Sequence, residues 1–382
     1  MQTWPRTQAA RTQVWLCSPT FRKLALLQPT KIHYTLDVYG LGGGFEIEMP
    51  RVWPRSLARP GAKIVIERGV AGQMMRIEDA FVHLSQPEQQ SGRGTRWADL
   101  SGPNLTAYYL GKPGRVVDRD QSEAGASYTL ASDDAAGQFV LDHLGVGAES
   151  GRVNASGRDL SAIVGFTVAP RLSQGPSITQ DGFGRQLADV LADIRKKSEQ
   201  AGKRLYWWCR LKAWDPPVVE FVTKVDYLGR DRRLGVAGNP VILSPEMGTV
   251  ETVDLEQDWT ERYSTVAIKF SSPIAQYTRI TDTTRRGAWA DAYRETLYDD
   301  QVSGTSAEAQ ARGQATLQAG KDRDLARLKV RNSWAVVEGA DYGLGDLVTG
   351  LVMGRRKDYE ITGVDRTIEG GDEAMTIRVE ER

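Results

Sequence analysis

The side chains that most readily suggest chemistry here are three histidines (His33, His83 and His143), two cysteines (Cys17 and Cys209) and ten tryptophans. Their spacing argues against most of that chemistry. No His-Glu-x-x-His pair occurs and no two histidines are close in sequence, so a zinc site would need assembly from distant segments. The two cysteines are too far apart to indicate a disulfide scaffold or a cysteine-built metal site, and they read as small buried hydrophobes. Few histidines also means few side chains that titrate near neutrality. There is no Gly-x-Ser-x-Gly elbow. Gly111-Lys112 and Gly202-Lys203 lack both the upstream glycine and the following Ser/Thr of a phosphate loop. Gly40-x-Gly42 is followed by Phe45 where the dinucleotide fingerprint needs glycine. The adjacent pairs Asp133–Asp134 and Asp299–Asp300 read as helix caps and solvated turns, although a glycosidase pair built from distant carboxylates stays open. Trp207, Trp208 and Trp214 cluster at a strand before Pro216-Pro217, which could suit sugar stacking. Alternation puts Trp207 and Trp208 on opposite faces, which favours core or subunit packing. The sequence calls for no catalytic residue, no cofactor and no metal.

The elements that would position these residues are mostly strands. Ile32, Tyr34, Leu36 and Val38 alternate with polar residues, and after a glycine turn Phe45, Ile47 and Met49 alternate again, which predicts a hairpin. Strands are expected over 63–68 and 75–84, with 85–96 (SQPEQQSGRGTR) an exposed loop. A short helix is expected from Asp133 to Leu144, stopped by Gly145. The clearest helix spans 184–202, with Leu187, Val190, Leu191 and Ile194 at i, i+3, i+4 and i+7 and Gly202 as its stop. Strands follow at 204–211, 218–222, 250–255 and 264–270. Thr305 and Glu308 are spaced as a capping box, predicting a helix over about 306–328.

Length and charge set the outer bounds. The 382 residues suggest about two to three domains and a sizeable core. Lys plus Arg and Asp plus Glu both number 49, so no global field recruits nucleic acid or membrane. No apolar run is long enough to span a bilayer, and the N-terminus does not read as a signal peptide, so synthesis in a cytoplasm is expected. Residues 1–30 are expected to be a basic N-terminal arm, mobile alone. It would dock on a partner through Trp4 and Trp15, with Arg6, Arg11 and Arg22 meeting acidic side chains. The domain reading continues with a first β unit over 31–115, an α/β insert over 116–245 containing the helix 184–202, a second β unit over 246–287 and 330–382, and a helical insertion over 288–329.

Two segments also resemble each other. Residues 59–65 (RPGAKIV) match 343–348 (GLGDLV), aligning Gly61 with Gly345. Ile77 and Ile361 then lie at the same offset, and Asp346 sits just after the second glycine. In each copy a glycine turn enters a strand and a second strand closes the pair, so two similar β units are expected, one near each end of the chain.

The order of parts resembles the tail hub proteins of long-tailed bacteriophages, the siphophage tail tip and baseplate hub family. The resemblance is carried by the helix 184–202 and its two following strands, by 241–250 (VILSPEMGTV), by 258–268 (DWTERYSTVAI), and by a helix leading to 341–349 (DYGLGDLVT) and the closing strand 359–364. In the first half the arrangement matches more than the residues, through 98–105 (ADLSGPNL). The resemblance implies a mixed, β-dominated fold of two similar β-barrel tube domains with α/β and helical insertions. It implies a non-enzymatic homotrimer whose pseudo-sixfold ring closes the tail tube. Its partners would be the distal tail ring protein, the tail tube, the tape-measure protein and fibre or spike proteins, with DNA only as cargo transiting the lumen. The location implied is the virion tail, assembled in the host cytoplasm. The chain ends directly after the last β unit, so no appended peptidase or lysozyme-like domain is expected. A tail-associated cell-wall hydrolase is the alternative, and a carbohydrate-binding β-protein rests on tryptophan count alone.

Overall fold

The computed structural model describes residues 11–382 except 40, 51–54, 71–73, 85–87, 91–95, 113, 119–126, 146–158, 237, 259–262, 271–276, 284–294, 303–305, 320–322 and 331–335. The chain starts with β1 (Arg11–Cys17), β2 (Lys23–Leu27), β3 (Lys31–Asp37), β4 (Gly44–Met49), β5 (Lys63–Gly69), β6 (Arg76–Val82), β7 (Glu88–Gln90) and β8 (Arg96–Pro103). Strands β2-β1-β5-β6 form one antiparallel sheet. This corrects the reading of a mobile arm for residues 11–30; residues 1–10 lie outside the described residues. Residues 11–17 lie in the interior of that sheet, because Val14, Leu16 and Cys17 each carry an apolar side chain into a core. The period-2 signal is weak because both faces are covered: Val14 and Leu16 enter a core shared with β3 and β4, while Cys17 enters one shared with the insert. The stretch 85–96, expected as a loop, contributes β7, which pairs with β8.

The next stretch, upstream of the insert expected over 116–245, is α1 (Leu105–Leu110), whose first turn is capped by Asn104 accepting the Ala107 N–H at 2.9 Å. The insert then runs through β9 (Ser127–Ala131), α2 (Ser132–Leu144), α3 (Ser161–Val164), β10 (Thr167–Val168), β11 (Ser177–Asp181), α4 (Leu187–Gln200), β12 (Leu205–Trp214) and β13 (Pro217–Val225). Leu187, Val190, Leu191 and Ile194 are all buried on one stripe of α4. They pack with Phe139 and Val140 of α2 and with Leu205, Trp207 and Phe221 of the β12–β13 hairpin. The pair Asp133–Asp134 clamps a loop: Asp133 accepts the N–H groups of Gln174 and Gly175, and Asp134 accepts those of Ser173 and its hydroxyl.

The rest of the chain supplies β14 (Asp231–Arg232), β15 (Ile242–Leu243), β16 (Val250–Asp258), β17 (Thr265–Phe270), β18 (Tyr277–Thr281), β19 (Glu295–Val302), α5 (Ser306–Ala319), β20 (Arg323–Val330), β21 (Leu347–Val352), β22 (Arg355–Glu369) and β23 (Asp372–Glu381). The expected helix over 306–328 stops at Ala319. Ala326, Leu328 and Val330 are buried at a spacing of two, so the end of that segment is a strand. The segment 288–329 is therefore not all helix, since it also holds β19. Strands β18-β17-β19 form a small sheet covered by α5.

The largest sheet joins the two ends of the sequence. Its order is β16-β20-β23-β22-β3-β4-β8-β7, with β21 pairing β22 and the short β14 and β15 pairing β21. The seam is the antiparallel pairing of β22 with β3, which matches Val364 with Leu36 and Ile368 with Ile32. The chain is β-dominated, and among the described residues none of its sheets closes on itself.

Candidate functional surface

Alternation sorts the long sheet into two unlike faces. Ile32, Tyr34, Phe45, Ile47, Val364, Ile377, Val379, Ala326 and Leu328 point to the buried side. The opposite face is mainly polar on β3, β4, β22, β23, β20 and β16, with Leu325 among its polar residues. It presents Lys31, His33, Thr35 and Asp37 on β3, Glu46 and Glu48 on β4, Asp365, Thr367 and Glu369 on β22, Arg378 on β23, Arg327 and Lys329 on β20, and Asp254 and Glu256 on β16. Carboxylates outnumber cations there. Cross-strand pairs hold the ladder: Lys31–Glu369 at 3.5 Å, Thr35 Oγ1 to Asp365 at 2.6 Å and Arg378–Asp37 at 3.3 Å. A cleft of about 520 Å³ on this face is lined by Asp37, Tyr39, Asp254, Glu256, Arg327 and Arg378. It has an aromatic ring, the Thr362 hydroxyl and charges of both signs.

Two buried ionic clusters fix the flanking parts to this sheet. On the apolar side, Arg366 of β22 and Arg68 of β5 are both buried. Arg366 meets Glu78 at 3.0 Å, Glu338 at 2.7 Å and Glu373 at 3.2 Å, and Arg68 meets Glu338 at 2.7 Å and Glu373 at 2.8 Å. Tyr34 donates to Glu78 at 2.6 Å. Burial raises the Glu78 carboxyl, while Arg366 pulls the other way. This cluster ties the N-terminal sheet to β22 and β23. On the polar side, Glu360 and Glu380 are directly opposite each other on β22 and β23. Two like charges in that position repel. Arg204 of the insert bridges them at 3.2 and 2.9 Å, and Arg382 and the Tyr206 hydroxyl reach Glu360 at 2.7 and 2.8 Å. Burial raises the Glu360 carboxyl despite these partners. Neither cluster had a sequence signal, because every pairing spans segments far apart in the chain.

The thiols are poor nucleophiles. Both are buried, and burial pushes Cys17 up to about 12 and Cys209 higher still. Among the described residues, no group of three or more His, Cys, Asp or Glu is placed to hold a metal ion.

Of the residues singled out from sequence, Gly61 and Gly345 occupy matching places. Gly61 has φ +86° and Gly345 φ +79°. The Gly61 N–H donates to His83 O at 2.9 Å and the Gly345 N–H to Ile361 O at 2.8 Å. The returning bonds run from His83 N to Ala62 O and from Ile361 N to Asp346 O, and Ala62 N–Arg59 O matches Asp346 N–Gly343 O. The β5–β6 and β21–β22 hairpins thus share one entry turn. The alignment of Ile77 with Ile361 is corrected: His83 is the counterpart of Ile361, while Ile77 pairs with Glu67. The first hairpin is longer, and sequence matching at fixed offset cannot see an insertion at the tip. Asp346 also accepts the N–H groups of Gly343 and Arg230, which fastens the loop before β14 to the turn.

Trp4 and Arg6 lie outside the described residues. Trp15 is engaged within the chain. Its Nε1 donates to Glu67 at 2.8 Å, its ring meets Trp214 edge-on at 6.4 Å, and the Lys23 ammonium lies 4.2 and 3.9 Å from the two ring centres. Arg11 is exposed opposite Gly69, and Arg22 is exposed in the β1–β2 turn.

No protein-family model matches the sequence, and no curated protein matches it significantly. The fold does have close counterparts. The 43 kDa tail protein of prophage MuSo2 from Shewanella oneidensis superposes with a TM-score of 0.61 at 14% identity, covering 97% of this chain and 98% of that one. The chain has the fold of phage tail proteins. A tail protein from Neisseria meningitidis gives a TM-score of 0.58 at 16% identity over 98% and 97% of the two chains. Prophage tail protein gp18 from Listeria monocytogenes gives 0.52 at 10% identity over 96% and 94%. The tail fold accounts for nearly the whole chain in each case.

Proposed function

We propose that this chain is a structural tail hub protein at the distal end of a phage tail tube. Three copies form a ring of pseudo-sixfold symmetry that joins the tube to tip, fibre or spike components. The end-to-end match to tail proteins carries this reading. The two hairpins with one entry turn support the symmetry, since three chains would present six related units. Each unit is then a tube domain, and each long sheet, open at β16 and β7, is continued by the next copy. The polar face lines the lumen through which DNA and the tape-measure protein pass. Its excess of carboxylates keeps a phosphate backbone from adhering. The role is mechanical and needs no catalytic residue. Cryo-electron microscopy of tail particles containing this chain tests it. Three copies, each filling two of six positions, are the expected result. A ring of six separate chains, or particles that lack the chain, would overturn the reading.

A further inference from the structure

The β21–β22 hairpin turns on two residues, Met353 and Gly354, with φ +51° and +72°. Such a turn favours Asn-Gly or Gly-Gly, because both positions sit in the left-handed region. The next hairpin of the same sheet, β22–β23, makes its turn with Gly370 and Gly371 at φ +62° and +93°. A bulky side chain in that region carries strain that persists only where something else requires the residue. Burial does not repay it among the described residues, since Met353 is 65% exposed. The neighbouring loop adds exposed Leu234 and Val236, and it is fastened to the hairpin by Leu234 N–H to Thr349 Oγ1 at 2.9 Å and Arg356 Nη2 to Leu234 O at 3.1 Å. Arg355 and Arg356 follow Met353 and are also exposed. The related β5–β6 hairpin shares the exposed methionine followed by an exposed arginine, though not, among the described residues, the left-handed turn. Met74 is 86% exposed at its tip end, and exposed Arg76 begins the returning strand.

We infer that the hairpin tips at Met353 and Met74 are two copies of one docking contact. Each tip seats its methionine in an apolar socket rimmed by carboxylates on the adjoining sixfold ring of the tail. This rests on the hub reading, in which three chains place six such tips around one end of the ring. Methionine suits a contact made twice in slightly different settings, because its unbranched chain adapts to sockets of unequal shape. The arginines beside each tip select an acidic rim and orient the approach.

Methionine oxidation tests the inference. The purified chain and tail particles containing it are treated with dilute hydrogen peroxide, and sulfoxide at positions 353 and 74 is followed by peptide mass spectrometry. Oxidation at both sites should be at least tenfold slower in particles than in the free chain. Equal rates would overturn the docking contact while leaving the hub reading intact. Particles without the chain would sink the hub reading and this contact with it. Met353→Asn, which installs the favoured turn residue, should melt at or above the parent yet enter particles at least fivefold less efficiently, and Met353→Leu should restore entry. Normal incorporation of Met353→Asn would count against the socket. Protection of Met353 by phosphatidylglycerol vesicles but not in particles would assign the tip to a membrane and overturn the proposal.

Discussion

The Lys63 ammonium sits among aromatic rings, 4.6 Å from the centre of Tyr108, 5.7 Å from Tyr109 and 5.8 Å from Phe21. The residue is 3% exposed, and burial pulls its pKa down to about 8. The ordinary value is 10.5, so between about pH 8 and 10.5 the unfolded chain holds more protons than the folded one, and stability rises with pH across that window. The charged form is the costly one at neutral pH. Lys63→Met keeps the apolar stem and should stabilise the fold at pH 7 by about 1–3 kcal/mol, a figure kept below the full pKa difference because the ring contacts offset part of the burial. It should also flatten the rise above pH 8. Identical melting of variant and parent at pH 7 would refute the assignment. The paired glycines differ in a testable way too. A Cβ at Gly61 meets nothing, so Gly61→Ala should cost only the backbone term, about 1–2 kcal/mol. A Cβ at Gly345 would collide with Leu228 as well, so Gly345→Ala should be clearly worse in denaturant melts.

At the scale of elements, β1 decides how the N-terminal region behaves. Leu16 is fully buried between the sheets, and Leu16→Ala should cost about 2–5 kcal/mol in urea unfolding. Deleting residues 1–25 should abolish cooperative unfolding rather than spare the fold, because it removes an interior strand of the β2-β1-β5-β6 sheet. A truncated chain that melts like the parent would show that the sheet does not need β1. The ionic cluster at Arg366 makes a parallel claim. Removing the guanidinium takes away the ion-pair partner of the Glu78 carboxylate and leaves Glu338 and Glu373 to Arg68 alone, so Arg366→Ala should cost about 3–5 kcal/mol. These elements also mark how far the sequence could be read. The α4 stripe and the β3–β4 hairpin were legible because each buries one face and shows a period. Strand β1 was not, since a strand covered on both sides loses alternation, and its Arg11 together with Arg22 and Lys23 just beyond it read as an arm. Strand β20 was hidden behind the capping box of α5. The hairpin repeat was visible through its glycine turns, but the true partner of Ile361 was not, because the two hairpins differ in length. The ionic clusters and the polar face exist only through long-range pairing.

For the whole molecule, the proposed hub function raises the question of which surface would meet a cargo. A tube that conducts a polyanion needs a wall that is wetted but not adhesive, and the polar face of the long sheet has that character. Its position is also suitable, since the sheet runs from β16 through the β22–β3 seam to β7 and so contains strands from both ends of the chain. Glu46 and Glu48 are exposed on this face and lie on β4, away from the ionic clusters that hold the insert. Replacing both by lysine should leave the fold intact, because exposed charges contribute at most about 1 kcal/mol each. The wall, however, would change sign locally and could bind phosphates. Three chains would carry six such lysines in one ring, enough for a salt-sensitive grip on passing DNA. Particles carrying Glu46→Lys and Glu48→Lys should therefore assemble with normal stoichiometry but eject DNA more slowly, and raising the salt concentration should restore much of the rate as the contacts are screened. Particles that assemble normally and eject at the parental rate at low salt would show that the DNA passes along some other surface.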